Sequence, residues 1–353
     1  MLMRQNIMIT QILKPTLRNI KFAAKQLRQG KLVAIPTETV YGLAAIVWDK
    51  AAVKKIFKAK KRPYFDPLIV HIPKGYDYSR LIRFQKKILE KITEKFWPGP
   101  LTLVLPKNYQ VPSVVTSGLS TVAIRQPAHS ICQKLLMELG EPLVAPSANQ
   151  FGKISPTSAQ AVKEELGGKI PYILDGGPCR VGIESTVILV EGPKKLKLLR
   201  PGGVSIEELE KVLKIKIQKS KNARSGKSSG QPIQSPGLLK HHYAPKKPLI
   251  LLPTSKWKNF VFKNKLKTVG LLLMQGSAEN KKKYFEKFLQ KKVICKSLSS
   301  NGELSQIAQN LYKELRFLDQ SLAQVIFCEP CTKKSGLGLA IQDRLTRAAH
   351  KIL

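Results

Sequence analysis

Ala145-Pro-Ser-Ala-Asn-Gln-Phe-Gly-Lys-Ile-Ser-Pro-Thr157 follows a short apolar run, Pro142 to Val144, that reads as the end of a buried strand. The stretch then breaks into small and polar residues before a helical pattern begins at Ser158. Ser147, Asn149, Ser155 and Thr157 carry short hydrogen-bonding side chains, and Gly152 lets backbone approach a ligand. A strand end, a polar loop and a helix start is where α/β proteins gather anions, because exposed backbone N–H groups and the helix dipole converge there. Taken alone, the loop reads first as an ordinary helix start, with Ser155 capping and Pro156 in the first turn. The neighbouring segments decide between the two.

Upstream, residues 16 to 29 have the spacing of an amphipathic helix closed by Gly30, and Lys31 to Ile35 reads as a strand. Pro36-Thr-Glu-Thr-Val-Tyr-Gly-Leu43 is a strand-to-loop turn rich in hydroxyls. A helix over 51 to 60 runs into the basic, proline-bounded loop Lys60-Lys-Arg-Pro-Tyr-Phe-Asp-Pro67. Further strands are expected at 68 to 72, which carries His71, and at 101 to 105, 121 to 125, 172 to 174 and 196 to 199. Helices are expected at 84 to 96, 128 to 139, 159 to 166 and 206 to 213. Strands outnumber helices and the connections vary, so the expected fold is α/β, a mixed twisted sheet with surrounding helices rather than a regular βαβ repeat.

Residues 216 to 247 change character. Lys, Ser, Gly and Gln dominate, as in a linker or arm. Arg224-Ser-Gly-Lys-Ser228 has the look of a P-loop end, but Lys221 stands where the first glycine belongs and no strand precedes it. From 248 onward strands at 248–252, 268–274, 292–295 and 323–327 alternate with helices at 279–289, 305–317 and 339–352, the pattern of a smaller C-terminal Rossmann-like α/β domain. Gly336-Leu-Gly338 is followed by Ile341 where a dinucleotide fingerprint has its third glycine. The expected division is therefore 15–215, an arm at 216–247, and 248–353.

Composition narrows the class. The chain has 353 residues and a formal charge of +38, with 61 Lys+Arg against 23 Asp+Glu. Such an excess suits nucleic acid or anionic substrates, although the lysines are spread along the whole chain rather than along one stripe. No apolar run reaches the ~18 residues of a membrane-spanning helix, and the N-terminal stretch lacks a secretory apolar region. A cytoplasmic protein without membrane attachment is expected. The five cysteines are scattered, and Cys328-Glu-Pro-Cys331 stands alone without further ligands, so free thiols are expected rather than a zinc or redox site.

The polar residues at strand ends and in loops are mainly cationic and hydroxylic: Thr37, Thr39, Lys60, Arg62, His71, Thr121, Arg125, Ser147, Asn149, Ser155, Ser185 and Arg200. They include no acidic cluster for a metal and no Ser-His-Asp or Cys-His arrangement. His71, within an apolar strand, fits a core histidine as well. The set suits a site that binds and aligns carboxylates and phosphates through charge-assisted hydrogen bonds, without a covalent enzyme intermediate.

Pro36-Thr-Glu-Thr-Val-Tyr-Gly-Leu43, Lys60-x-Arg62-Pro63, Ser147-x-Asn149, Asp175-Gly-Gly-Pro178 with Gly182-Ile-Glu-Ser-Thr-Val187, and Leu199-Arg-Pro-Gly202 resemble the YrdC-like threonylcarbamoyl-AMP synthases. Ser235-Pro-Gly237 and His242-Tyr-Ala-Pro245 are similar to the arm of that family's long two-domain form, and Asp343-Arg-Leu345 with Arg347-Ala-Ala349 to the end of its second domain. The resemblance implies synthesis of L-threonylcarbamoyladenylate and pyrophosphate from L-threonine, bicarbonate and ATP with Mg²⁺, for threonylcarbamoylation of tRNA adenosine beside the anticodon by a downstream transferase complex. It implies threonine contacts from Thr39, His71, Arg125, Ala145 and Ser185. It implies ATP contacts from Arg62, Asp66, Thr121, Ser147, Ser155, Arg200 and Tyr243, and it implies that Lys60, Arg62, Ser147 and Asn149 form the catalytic set. No protein-held metal is implied. Asp66 departs from the family's usual Asn, and an acid beside phosphates repels them unless it holds Mg²⁺ or pairs with a lysine. Ala44 replaces a glycine, and Leu239, Lys240 and His241 replace the more typical arm residues. A basic module that binds tRNA or double-stranded RNA without making the adenylate is the alternative.

Overall fold

The computed structural model describes residues 8–83, 86–219, 233, 235–237 and 242–352. Two sheets organise them. The first contains β1 (Gln11–Leu13), β2 (Val33–Ile35), β3 (Gly42–Ile46), β4 (Ile69–His71), β5 (Leu101–Pro106), β6 (Thr121–Arg125), β7 (Leu143–Val144), β8 (Tyr172–Leu174), β9 (Thr186–Gly192), β10 (Lys195–Arg200) and β11 (Gln218–Lys219). Their order is β1-β8-β2-β3-β7-β4-β6-β5-β9-β10-β11. Parallel pairs such as β4–β6 stand beside antiparallel pairs such as β5–β6, so the sheet is mixed. The second sheet contains β12 (Leu249–Leu251), β13 (Thr268–Leu273), β14 (Lys292–Ser297), β15 (Val325–Cys328) and β16 (Lys351–Ile352), all parallel, in the order β14-β13-β15-β12-β16.

Both faces of the large sheet are covered. On one lie α1 (Leu17–Arg28) and α5 (Ser130–Leu139), which bury Ile20, Ala23 and Leu27 against Leu135 and Leu136. On the other lie α2 (Lys50–Lys60), α3 (Lys86–Phe96) and α6 (Ala159–Leu166), whose Ile56, Phe57, Ile92 and Val162 join the main core. Burial on both faces explains why the central strands read as short apolar runs rather than alternating ones. The remaining helices are α4 (Ser113–Thr116), α7 (Ile206–Leu213), α8 (Trp257–Lys263), α9 (Ala278–Leu289), α10 (Leu304–Gln320) and α11 (Gly336–Ala348).

Several expectations are corrected. Residues 42 to 46 are a full strand, β3, not the end of a turn, and β1 and α8 were not expected. Gly-Leu-Ala-Ala-Ile has no two-residue alternation because nearly all of it is buried. The terminal helix starts earlier than expected, at Gly336, and stops at Ala348, after which Lys351–Ile352 adds a strand beside β12.

The two sheets share one apolar seam. Val40, Ile154 and Ile183 from the first pack with Ile307, Leu311, Tyr312 and Ile341 beneath the second. Gly182 shows how close the approach is. Its φ is +75°, and a Cβ there would lie 2.4 Å from the Gln309 Cα, so only glycine fits. Among the described residues no helix is long and apolar enough to cross a membrane.

Candidate active site

The Ser147 loop leaves β7 and folds back over the Thr37–Leu43 segment. Leu43 N donates to Pro146 O (2.7 Å), Ala148 N to Tyr41 O (2.8 Å) and Tyr41 N to Pro156 O (2.9 Å). Between these two segments and the ends of β4, β6 and β10 lies a small cavity of about 50 Å³. Of the residues singled out in the sequence, Thr37, Thr39, Arg62, His71, Arg125, Ala145, Ser147, Ser185, Arg200 and Tyr243 line it. Lys60, Asp66, Thr121, Asn149 and Ser155 do not.

One end of the cavity is built around Arg125, at the end of β6 and 3% exposed. Its Nη1 donates to the Thr39 hydroxyl at 2.9 Å, and its Nη2 lies 2.7 Å from Glu38 Oε1. Its Nε has no hydrogen-bond partner among the described residues. His71 pairs with Arg125 across the β4–β6 ladder, and its Nδ1 lies 3.2 Å from Ile69 O. Burial, and then the neighbouring Arg125 charge, push the His71 imidazole down to about 3, so it is neutral at physiological pH. Thr121 begins the same strand and shares Arg125's face by alternation, away from the cavity lining.

Lys60 faces the loop rather than the cavity. Its Nζ donates to Ser147 O and Asn149 O, each at 2.5 Å, and the side chain is buried. Asn149 donates in turn to Gln150 O (2.7 Å) and Lys153 O (2.8 Å). Lys60 and Asn149 thus shape the loop that presents Ser147. Losing one hydrogen bond to a charged group costs about 1.5–3 kcal/mol, so Lys60→Met is expected to lower turnover about tenfold or more through a displaced loop. Steady-state pyrophosphate release checks this, and a variant at wild-type rate rules it out.

Arg62 donates through Nε to Asp66 O (3.0 Å) and through Nη2 to Pro67 O (2.8 Å), and it pairs with the Asp66 carboxylate at 2.8 Å. Among the described residues the cation paired with Asp66 is therefore an arginine rather than a lysine. Burial pushes the Asp66 carboxyl up to about 6, against the pull of Arg62 and then Lys60.

At the other end Arg200 donates from Nε and Nη2 to Ser185 O (3.2 and 3.1 Å), and from Nη1 to Pro236 O (3.0 Å). That last bond reaches the arm. Ala244 N donates to Gly152 O (2.8 Å), so the arm's second motif docks on the Ser147 loop. Pro236, Gly237, His242 and Tyr243 close the cavity. Tyr243 is 1% exposed and takes a left-handed φ of 69°, a conformation that costs a non-glycine residue about 1 kcal/mol and persists where packing fixes it. Leu239, Lys240 and His241 lie outside the described residues, as does most of 216–247 before residue 242.

Two acids escaped the sequence reading. Glu38 holds Arg125. Glu184 lines the cavity and accepts from the Ser155 hydroxyl at 2.7 Å. In a chain with 61 basic and 23 acidic residues, an acid inside each hydroxyl-rich motif was the available signal. Among the described residues no group of three or more His, Cys, Asp or Glu side chains is arranged to hold a metal ion.

A mixed α/β sheet carries, at its strand ends, an arginine-lined cavity whose chemistry suits small anionic ligands. Comparison with known proteins makes the class specific. Residues 25–202 match the Sua5/YciO/YrdC family model, described as "Telomere recombination", and residues 204–350 match the model described as "Threonylcarbamoyl-AMP synthase, C-terminal domain". The threonylcarbamoyl-AMP synthase of Pyrococcus abyssi is 43% identical over 340 residues, 94% of each chain. That of Bacillus subtilis is 40% identical over 336 residues, 93% of this chain and 92% of the relative. The crystal structure of P. abyssi Sua5 complexed with L-threonine superposes with a TM-score of 0.83 at 41% identity, covering 98% of this chain and 99% of that one. The chain belongs to the threonylcarbamoyl-AMP synthase family, in its two-domain form.

Proposed function

We propose that the protein is an L-threonylcarbamoyladenylate synthase, a nucleotidyltransferase that converts L-threonine, bicarbonate and ATP into threonylcarbamoyl-AMP and pyrophosphate. The observation that carries this reading is the convergence of Arg62, Arg125 and Arg200 on one buried cavity, where the Arg125 Nε and the Tyr243 hydroxyl have no hydrogen-bond partner among the described residues. Buried polar groups of this kind are normally satisfied, so they call for a ligand.

The threonine carboxylate is assigned to Arg125, with Thr39, neutral His71, Ala145 and Ser185 around the rest of the amino acid. The nucleotide is assigned to the opposite end, with Arg62, Ser147 and Arg200 on the phosphates and Tyr243 closing above them. Ser155 supports this end through Glu184 and Asp66 through Arg62, while Thr121 lies outside the cavity lining. The threonine amine adds to CO2, formed from bicarbonate by loss of hydroxide as water, and releases a proton to give the carbamate. A carbamate oxygen then attacks the α-phosphorus and pyrophosphate leaves, while fixed cations offset the charge on the phosphates. Mg²⁺ enters as part of the ATP substrate. Glu38, Asp66 and Glu184 each already face an arginine, which argues against a carboxylate cage for it within the protein.

A cavity of about 50 Å³ is far smaller than the ~300–1,000 Å³ of ligand pockets. Pro236, Gly237, His242 and Tyr243, which cover the cavity, therefore move aside to admit ATP and close again to exclude water. We further assign the domains as 15–215, catalytic, and 248–353, its partner. The product is passed in the cytoplasm to a transferase that modifies tRNA, and the high positive charge suits transient RNA contact.

Incubation with ATP, threonine, bicarbonate and Mg²⁺ tests the function. Threonine-dependent pyrophosphate and a threonylcarbamoyl adenylate are expected, and salt-sensitive tRNA retention without turnover would favour an RNA-binding module instead. A second outcome concerns Asp66. Its charge lies 2.8 Å from Arg62 and competes with phosphate for the guanidinium, so Asp66→Asn is expected to lower the KM for ATP severalfold. Kinetics at fixed saturating threonine check it, and an unchanged or higher KM counts against the competition.

A further inference from the structure

The second domain reaches into the active site through a buried cluster centred on Glu184. Arg344 of α11, 1% exposed, donates from Nε to Glu184 Oε2 at 2.6 Å and from Nη2 to Pro201 O at 2.9 Å. Asp343 takes its Nη1 at 2.6 Å. The Tyr312 hydroxyl of α10 lies 2.9 and 3.2 Å from the two Glu184 oxygens and donates to that carboxylate. Glu184 thus has contacts from both sides: Arg344 and Tyr312 from the second domain, and Ser155 from the loop behind the cavity.

The same two residues also pack on the arm. The Arg344 guanidinium sits 5.1 Å from the centroid of the Tyr243 ring, and the Tyr243 and Tyr312 rings stack at 5.8 Å. A guanidinium over an aromatic face is attractive, and here it helps hold a tyrosine whose own backbone is left-handed.

From this we propose that Arg344, with Tyr312, is a positioning residue of the nucleotide end of the active site. It fixes Glu184, and through it Ser155, and it supplies the surface on which Tyr243 closes. The second domain is on this view part of the adenylating site, and not only an anchor for the arm. The inference rests on the synthase reading for what the site binds.

The cluster makes the consequence directional. Without Arg344 the Glu184 carboxylate would be buried with no cation from the second domain. Arg200 is the remaining nearby cation whose charge acts on it. Arg200 would be drawn away from Ser185 O and Pro236 O, loosening both the phosphate site and the arm. Arg125 is held by Thr39 and Glu38 rather than by this cluster, so the carboxylate clamp should be spared and the effect on threonine, felt only through Ser185, should be small beside that on ATP.

Wild type, Arg344→Gln, Arg344→Lys and Tyr312→Phe full-length chains are titrated calorimetrically with MgATP and separately with threonine, alongside pyrophosphate kinetics and thermal melting. Arg344→Gln is expected to raise the Kd and KM for ATP tenfold or more while threonine affinity stays within twofold. Arg344→Lys recovers part of the loss, and Tyr312→Phe costs about threefold on ATP. A purely structural role would move both ligands together or only the melting temperature. If Arg344→Gln folds and its ATP affinity is within twofold of wild type, the proposal is overturned. If it does not fold, an unchanged ATP affinity in Tyr312→Phe overturns it. A wild type that binds ATP but releases no threonine-dependent pyrophosphate removes the synthase reading and leaves the ATP titrations to decide the role of Arg344. A wild type that binds no ATP overturns both.

Discussion

Arg125→Ala is expected to abolish threonine binding at millimolar concentrations while leaving ATP binding within a few-fold of wild type. The cause is a double loss. The guanidinium is the cation assigned to the amino-acid carboxylate, and its Nε, unpartnered among the described residues, is available to donate to it. Removing one partner of a buried ion pair costs about 3–5 kcal/mol, roughly 10² to 10⁴ in affinity. The same substitution also leaves Glu38 buried without the cation 2.7 Å away, so an uncompensated negative charge faces an incoming carboxylate. Two effects can be separated with Glu38→Gln in the Arg125→Ala background. Melting temperature should partly recover because the stranded charge is gone, but threonine affinity should not. Calorimetric titration with threonine decides the matter. Affinity close to wild type in Arg125→Ala would remove that residue from the carboxylate site.

What the sequence disclosed about this site follows a physical line. Side-chain type and strand-end position are local properties, and they pointed to Arg125, Ser147 and Arg200 without any structure. Partnership is not local. Glu38 and Arg125 are far apart in sequence, and Ser155 meets Glu184 only because a loop and a strand end fold onto one another. Glu184 and Arg344 stand 160 residues apart. Lys60 illustrates the same limit. Its charge and its Lys-x-Arg spacing suggested a ligand contact, whereas its ammonium points at two carbonyls of the loop. For the fold, amphipathic helices such as α1, α7 and α10 were legible from their spacing. The strand β3 was not, because a run of small buried residues has no alternation to read. The role of the second domain was illegible for a related reason: Tyr312 and Arg344 look like ordinary helix residues until the seam brings them against Glu184.

Gly237→Ala is expected to lower kcat/KM for ATP about thirtyfold or more and to reduce the yield of intact adenylate, with threonine affinity nearly unchanged. Gly237 has a φ of +80°, and a Cβ there would lie 2.3 Å from the Tyr243 hydroxyl oxygen and 3.1 Å from Arg200 Nη1. Alanine in a positive-φ position costs about 1 kcal/mol, and forcing an atom into a packed contact adds about 1–3 kcal/mol. Together these correspond to roughly thirtyfold or more. The strain can be relieved only by moving the Ser235–Gly237 turn, by displacing Tyr243, or by pulling Arg200 from Pro236 O, and each of these opens the arm. An open arm admits water to the α-phosphorus and to the mixed anhydride formed there, so product should be hydrolysed as it is made. Pyrophosphate would then exceed recoverable threonylcarbamoyl-AMP in a single turnover, where wild type gives nearly equal amounts. The substitution lies outside both sheets, so the main thermal transition should stay within a few degrees of wild type. Equal yields of the two products in the variant, at wild-type rate, would mean that the arm does not guard the adenylate.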